Sequence, residues 1–473
     1  MFINGEWIKS DNTFAVFNPA NGEEIGQVTD GNREDAKRAI DAAQAALPAW
    51  SALTVYQRSD YLRRAYELMI ERKADLAALM TKEQGKPIKA AMAEVQYGAD
   101  YLLWFAEEVK RSYGETIPSA RPDQRFLVHR QPLGVVAAVT PWNYPVSMIT
   151  RKVAPAIAAG CTIVLKPAEA TPLCAIAIFE ILQEVGVPAG VINLVTSNTP
   201  GPIGEEFCTN PIVKKLTFTG STAVGKKLAQ DAAPQLKRVS MELGGHAPFI
   251  VFDDADPIHA AKGAALVKFL NTGQACISPN RIFVQRSIIE PFLVEFENRI
   301  AKMRAGSGTE QGVNIGPLVN EAAVNKVNNQ VIDAVEKGAK LHAGGKVLTE
   351  AGLDKGSFYA PTLLSGITEE MLIYREETFG PVAAVIPFDT QEEVLEKAND
   401  TNYGLAAYVY TQNMSRAMRM FEGLHFGMVG INDINPTSAA APFGGMKESG
   451  LGREGAREGL MEYYETKLAG ISI

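Results

Sequence analysis

Between Gly134 and Val195 the sequence alternates short β-branched runs with stretches of helical periodicity, and no other feature limits the fold so strongly. Gly134 to Val139, Thr162 to Leu165 and Val191 to Val195 read as strands; Val153 to Ala159 and Ala175 to Val185 read as the helices between them. Strand, helix, strand in this order is the pattern of β-α-β units and a parallel sheet. A second series starts near Pro248, with a run Phe249 to Phe252, a helical stretch His259 to Phe269 and a strand Arg281 to Val284. The glycine-rich turn Leu243 to His246 joins the two series and is the candidate domain boundary. At 473 residues the chain has length for more than one hydrophobic core.

Upstream, Asp35 to Ala106 reads as successive amphipathic helices, with Leu62, Ala65, Leu68 and Met69 at helical spacing among charged residues. Two segments fit neither series: Arg125 to Pro132 and Glu465 to Ile473, both extended and mixed polar. Such segments build either an intersubunit sheet or a surface hairpin.

A net charge of −8 disfavours nucleic acid as a partner, although a local basic cleft could still hold a dinucleotide. Met1 to Ser10 lacks the apolar core of a signal peptide, and no run of about 18 apolar residues follows, so a cytoplasmic protein without membrane contact is expected. Five scattered histidines and four cysteines show no zinc spacing and no C-x-x-C pair, so no catalytic metal is expected.

Cys161, Cys174 and Cys208 sit in apolar surroundings typical of inert thiols, whereas Cys276 lies in the small-residue turn Asn271 to Cys276 between a helix and a strand. Such a thiol is a candidate nucleophile. Asn143, in the proline-fixed loop Thr140 to Pro145 directly after a strand, can donate to a developing oxyanion. Glu242 ends the strand Val239 to Met241 beside Leu243-Gly244-Gly245, where partial burial would make it a base for water. Together, on three strand-end loops, these residues would form a nucleophile, an oxyanion hole and a base. Lys166 and Glu169, three apart after the strand Thr162 to Leu165, could grip ribose hydroxyls from two sides. Phe218 to Ser221, ahead of a helix starting near Thr222, offers N–H groups to a pyrophosphate. The one G-x-G-x-x-G, Gly450 to Gly455, has no strand feeding it and is not a dinucleotide fingerprint.

These residues resemble the aldehyde dehydrogenase superfamily along the whole chain. The matching blocks are Trp142-Asn143, Lys166 to Glu169, Phe218 to Ser221, Glu242 to Gly245, the Cys276 loop, Glu376 to Pro381 and Pro442 to Gly445. Met241 to Pro248 is most similar to bacterial succinate-semialdehyde dehydrogenases. The resemblance implies an α/β fold with a Rossmann-type NAD-binding domain (1–118 and 138–244), an α/β catalytic domain (245–440) and a β oligomerisation arm (119–137 and 456–473) in a homodimer or homotetramer. It implies that Cys276 attacks an aldehyde, that Asn143 and the Cys276 N–H hold the oxyanion, that Glu242 activates water on the thioester, and that Lys152 and Glu454 form a proton path from Glu242. It places NAD, with NADP as the alternative, against Thr140, Pro141, Trp142, Asn143, Lys166, Glu169, Gly220, Ser221, Leu243, Glu377 and Phe379.

For substrate, the resemblance points to Arg151 as the ligand of a carboxylate, with Thr437, Ser438 and Phe443 beside it. Succinate semialdehyde leads, and a general aliphatic aldehyde is the alternative. Three departures matter. Ser197 to Gly201 replaces a loop of closely spaced glycines, Ser278 stands where many semialdehyde dehydrogenases have a second Cys, and Leu270 stands where they have a second Arg. A coenzyme A-dependent acylating enzyme commonly lacks the base at Glu242, and a non-catalytic binding protein has no use for Cys276, Glu242 and Asn143 together.

Overall fold

Strand residues point alternately to opposite faces of a sheet, and in Val135–Val139 that alternation separates two cores. Val136 and Ala138 pack with Ile163, Leu165 and the long helices, while Val135 and Ala137 pack with Val164, Leu216 and Phe218. Apolar residues on both faces require covering layers on both sides, so the strand is central in a doubly wound sheet. The structure, a computed structural model, describes residues 1–473.

Five parallel strands form the centre of this first sheet, in the order Arg238–Glu242, Val213–Thr219, Val135–Val139, Thr162–Lys166, Ile192–Leu194. Antiparallel strands close both edges: Gly450–Leu451 on Arg238–Glu242, and Phe2–Ile3 on Ile192–Leu194. The chain leaves Val135–Val139 towards Thr162–Lys166 and later adds Val213–Thr219 on the opposite side. The order therefore reverses between Val135–Val139 and Val213–Thr219, and a crevice opens at the carboxyl ends of those two strands.

A second sheet of seven strands runs Lys340–Ala343, Thr362–Ser365, Val382–Phe388, Pro279–Gln285, Ala247–Val251, Ala406–Tyr410, Met428–Ile431, all parallel except the first pair. Its two faces again divide, with Phe249 and Val251 in one core and Ile250 and Phe252 in the other. Only Leu243 to His246 separates the last parallel strand of the first sheet from the opening strand of the second. The start of the second sheet consequently faces the carboxyl ends of the first.

The helical stretch resolves into four helices, Arg33–Ser51, Val55–Glu71, Lys73–Gln84 and Ile88–Glu108. Asn32 accepts from the N–H groups of Glu34 and Asp35 while Asp35 reciprocates, and Thr54 and Gln57 repeat that box one helix later. Leu62, Ala65 and Met69 are buried against the first sheet, with Leu68 half-buried beside them. Arg125 to Pro132 and the C-terminus pair antiparallel as Gln124–Pro132 and Tyr464–Ser472, with Glu115–Ile117 as a third strand. The strands before Asp35, including the hairpin Thr13–Phe17 with Glu24–Thr29, carry no signal that the sequence reading used.

Candidate active site

The loop that carries Cys276 holds three successive residues in the left-handed region: Asn271 (φ 49°), Thr272 (φ 59°) and Gly273 (φ 77°). For Asn and a β-branched Thr this costs on the order of 1–3 kcal/mol each, so neighbours must enforce it. Gln274 does so from one side, receiving Val319 N–H at 2.9 Å and donating to Pro317 O at 3.2 Å. Thr272 exchanges two hydrogen bonds with the Gly316 backbone, at 3.0 and 3.2 Å. A Cβ on Gly273 would lie 2.1 Å from Gly380 O, so glycine is obligatory there. The turn ends in the strand Pro279–Gln285, which puts Cys276 at the beginning of a second-sheet strand rather than after a strand end.

Asn143 approaches from the other sheet, on the loop after Val135–Val139. Its Nδ2 donates to Gln274 O at 3.0 Å, and Asn271 Nδ2 returns a bond to Asn143 O at 2.9 Å. One hydrogen of the Asn143 amide is thus anchored to the cysteine loop, leaving the other for a ligand beside Cys276. Two clefts meet here. The first, about 870 Å³, is lined by Pro141, Trp142, Asn143, Gly220, Ser221, Leu243, Glu377 and Phe379. The second, about 910 Å³, is lined by Tyr144, Arg151, Leu270, Asn435, Thr437 and Phe443. Cys276 and Met148 line both.

The first cleft fits a nicotinamide dinucleotide. The helix Thr222–Ala232 begins at its wall with Ser221 as cap, the end of a helix that favours a phosphate. Glu377 accepts from Gly245 N–H at 2.8 Å, and burial raises its carboxyl above the usual range. Trp142 and Phe379, the latter with φ 55°, meet edge to face at 5.6 Å. Ala323, Lys326 and Thr378 also line this cleft; the first two sit on the helix Glu321–Glu336, which the sequence reading left unassigned. Gly245 is required where the sheets join, since a Cβ there would lie 2.2 Å from Cys276 O.

Glu242 lines neither cleft. Both its oxygens are buried without a hydrogen-bond partner, and Oε1 would lie 2.8 Å from a Cβ on Gly444. Burial first, and then the charge of Glu454, raise its carboxyl well above the ordinary range. Burial also pushes the Cys276 thiol up to about 12, with Glu242 and Glu377 adding to the effect and the Arg151 cation opposing it. Lys152 and Arg151 both pair with Glu454, behind the clefts, and Lys152 Nζ also reaches Thr217 Oγ1 at 3.1 Å. Against burial, those two cations hold Glu454 below the usual carboxyl range.

Several expected residues stand elsewhere. Ser438 is exposed and lines no cleft, because its hydroxyl accepts from Ala440 N–H and closes a turn. Thr140 is buried beneath the loop it begins and is not part of either lining. Lys166 and Glu169 pair with each other at the carboxyl end of Thr162–Lys166, outside the first cleft's lining. Gly450 to Gly455 forms an antiparallel sheet edge and the turn after it, with no β-α-β unit. Lys86, which donates to Asn143 O at 2.8 Å, and Glu94, its buried partner, are among the site residues that were not foreseen. The only signal for Lys86 is its place between Gly85 and Pro87, which break one helix and begin the next.

Comparison with known proteins agrees with this geometry. The aldehyde dehydrogenase family matches residues 7–469. The chain is 49% identical to a glutarate-semialdehyde dehydrogenase of Pseudomonas putida, covering 100% of this chain and 97% of the other. It is likewise 49% identical to an NADP(+) succinate-semialdehyde dehydrogenase of Escherichia coli, again with 100% and 97% covered. Among solved structures, an NADP-dependent enzyme of E. coli superposes with a TM-score of 0.98 at 48% identity, over 100% of this chain and 98% of that one.

Proposed function

The chain belongs to the aldehyde dehydrogenase family, and from that premise we propose that it oxidises a short anionic semialdehyde to the acid through a thioester on Cys276. The observation that carries this reading is the thiol at the junction of two clefts, one suited to a dinucleotide and the other containing Arg151. When bound, the nicotinamide ring supplies the two-electron acceptor for the oxidation. The chain supplies the rest. Cys276 reacts as its thiolate, its proton lost to solvent through the open cleft; Sγ adds to the aldehyde carbon, and the free Asn143 N–H together with the Cys276 backbone N–H stabilises the oxygen that becomes negative. The thioester is then opened by water. Glu242 takes the proton of that water after turning from Gly444 towards the thiol, and Glu454 with Lys152 leads protons away behind it.

The substrate reading rests on charge. Arg151 and Lys152 together face one carboxylate, Glu454, so a net positive charge borders the second cleft. The Arg151 guanidinium lies over the Phe443 ring at 4.2 Å, and Thr437 and Asn435 line the same cleft with polar groups. Leu270 lines it too, so a single arginine receives the anion. Both semialdehydes named in the relatives end in a carboxylate, and succinate semialdehyde leads here. It should be preferred over butanal by roughly 10- to 100-fold in kcat/KM, the worth of one charge-assisted hydrogen bond. Arg151→Leu should bring that ratio close to one. No preference in the wild type, or a preference that survives the substitution, would mark a general aliphatic aldehyde dehydrogenase.

For the cofactor we infer a preference for NAD, because the Glu169 carboxylate can accept from ribose hydroxyls but repels an added phosphate. The Lys166 ammonium beside it moderates that repulsion. Glu169→Ser should shift the NAD to NADP ratio of kcat/KM towards NADP by about tenfold; a wild type that already favours NADP, as the E. coli relative's name specifies for that enzyme, overturns this inference.

A homo-oligomer is supported by the three-stranded sheet, whose outer strand Tyr464–Ser472 leaves an unpaired edge that a second copy could cover, with Leu468 and Ile471 exposed on its opposite faces. No helix is long and apolar enough to cross a membrane. Four unpaired cysteines, one of them needed as a thiol, suit the reducing cytoplasm.

A further inference from the structure

The ion pair Lys86–Glu94 lies at the floor of the second cleft with both side chains 1% exposed. Its placement follows from the chain itself. The helix Lys73–Gln84 ends at Gly85 in the left-handed conformation, and Pro87 caps the helix Ile88–Glu108, so Lys86 occupies a turn with little freedom. Glu94 is two turns into that second helix and points back at it. A buried ion pair is a poor way to stabilise a fold, since desolvation offsets most of the attraction. What distinguishes this one is where its remaining hydrogen-bonding capacity goes.

Lys86 Nζ donates to Asn143 O at 2.8 Å and sits over the Tyr144 ring at 4.1 Å. Glu94 Oε1 accepts from Val146 N–H at 3.0 Å and Ser147 N–H at 3.3 Å, at the start of the helix that carries Arg151 and Lys152. The pair therefore grips the Asn143 loop at its oxyanion-binding residue and again three and four residues later. Two of the three ammonium donors go to Glu94 and the Asn143 carbonyl, and the Tyr144 ring lies against the charge. Asn143 O also receives Asn271 Nδ2 at 2.9 Å, so the same carbonyl links the lysine to the cysteine loop.

We infer that Lys86 and Glu94 are positioning residues for the oxyanion hole: they fix the Asn143 backbone so that its free amide hydrogen points beside Cys276. The inference rests on the catalytic reading above and assigns neither residue a contact with the reacting atoms. Its signature is that their effect passes through Asn143.

The test uses 4-nitrophenyl acetate, whose acylation of Cys276 requires the thiol and the oxyanion donor but no dinucleotide. Lys86→Met should slow nitrophenolate release by roughly 10- to 30-fold with KM within about twofold, as expected when one oriented hydrogen bond is lost near an oxyanion. Lys86→Arg, which keeps a cation and donors, should recover part of the rate. In an Asn143→Ala background, Lys86→Met should slow release by less than about twofold, because the group it positions is gone. Full loss in that background, or no loss in the wild type, overturns the inference. If Lys86→Met does not fold, Glu94→Gln answers the same question, since it releases the ammonium from the carboxylate that holds it, and the same non-additivity is required. A wild type inactive towards both ester and aldehydes would instead refute the catalytic reading itself.

Discussion

Replacing Cys276 by Ala is expected to lower aldehyde turnover by about 10⁴-fold or more while NAD affinity stays within about twofold. The asymmetry comes from the thiol's position. It lies at the junction of the two clefts, while Glu377, Ser221, Trp142 and Phe379 line the first. No other cysteine can substitute. Cys161, Cys174 and Cys208 are buried in the cores around the first sheet and line neither cleft. Turnover at 340 nm and a fluorescence titration with NAD measure the two quantities separately. Turnover within a hundredfold of wild type would remove Cys276 from the mechanism, and a lost affinity would mean the loop itself had moved.

Glu242→Gln carries the second large effect, on the other half of the reaction. Because neither Glu242 oxygen has a hydrogen-bond partner, an amide of the same shape disturbs little around it. Acylation should persist, giving a rapid burst of NADH near one per site, followed by a steady state about 10²- to 10³-fold slower than wild type. A missing burst would place Glu242 in the first step. The wild type adds a pH signature. The water-activating form is the carboxylate, and burial with the Glu454 charge holds the carboxyl protonated well above the ordinary range. Deacylation should therefore rise with pH over a window displaced upward from that of an ordinary carboxyl, and the variant should lose that rise.

Periodicity made the parallel sheets visible in advance because strands buried on both faces read as unbroken apolar runs, as in Val135–Val139 and Phe249 to Phe252. The same periodicity is silent where a strand is two or three residues long and held by its neighbours, as at Phe2–Ile3 or Gly450–Leu451. Among site residues, Cys276, Asn143 and Glu242 stood out because each follows or precedes a glycine- or proline-marked turn. Glu94 did not, since a Glu in a charged helix carries no mark of burial until tertiary packing encloses it, and Lys86, although set between Gly85 and Pro87, reads as a solvent-facing lysine of a turn. Ser438 was misplaced for a related reason: a hydroxyl in sequence proximity to Phe443 is spent on a local turn.

The return of the chain to the first sheet also bears on biosynthesis. Gly450 pairs with Glu242, Leu243 N–H donates to Ser449 O, and Phe443 and Glu454 complete the surroundings of the base and the substrate cleft. A nascent chain that has already emerged from the ribosome with both cores largely translated thus holds its thiol without the wall and the charge that tune it. The wall of the second cleft and the surroundings of Glu242 are thus closed by residues that lie far downstream of the thiol itself, from Phe443 onward.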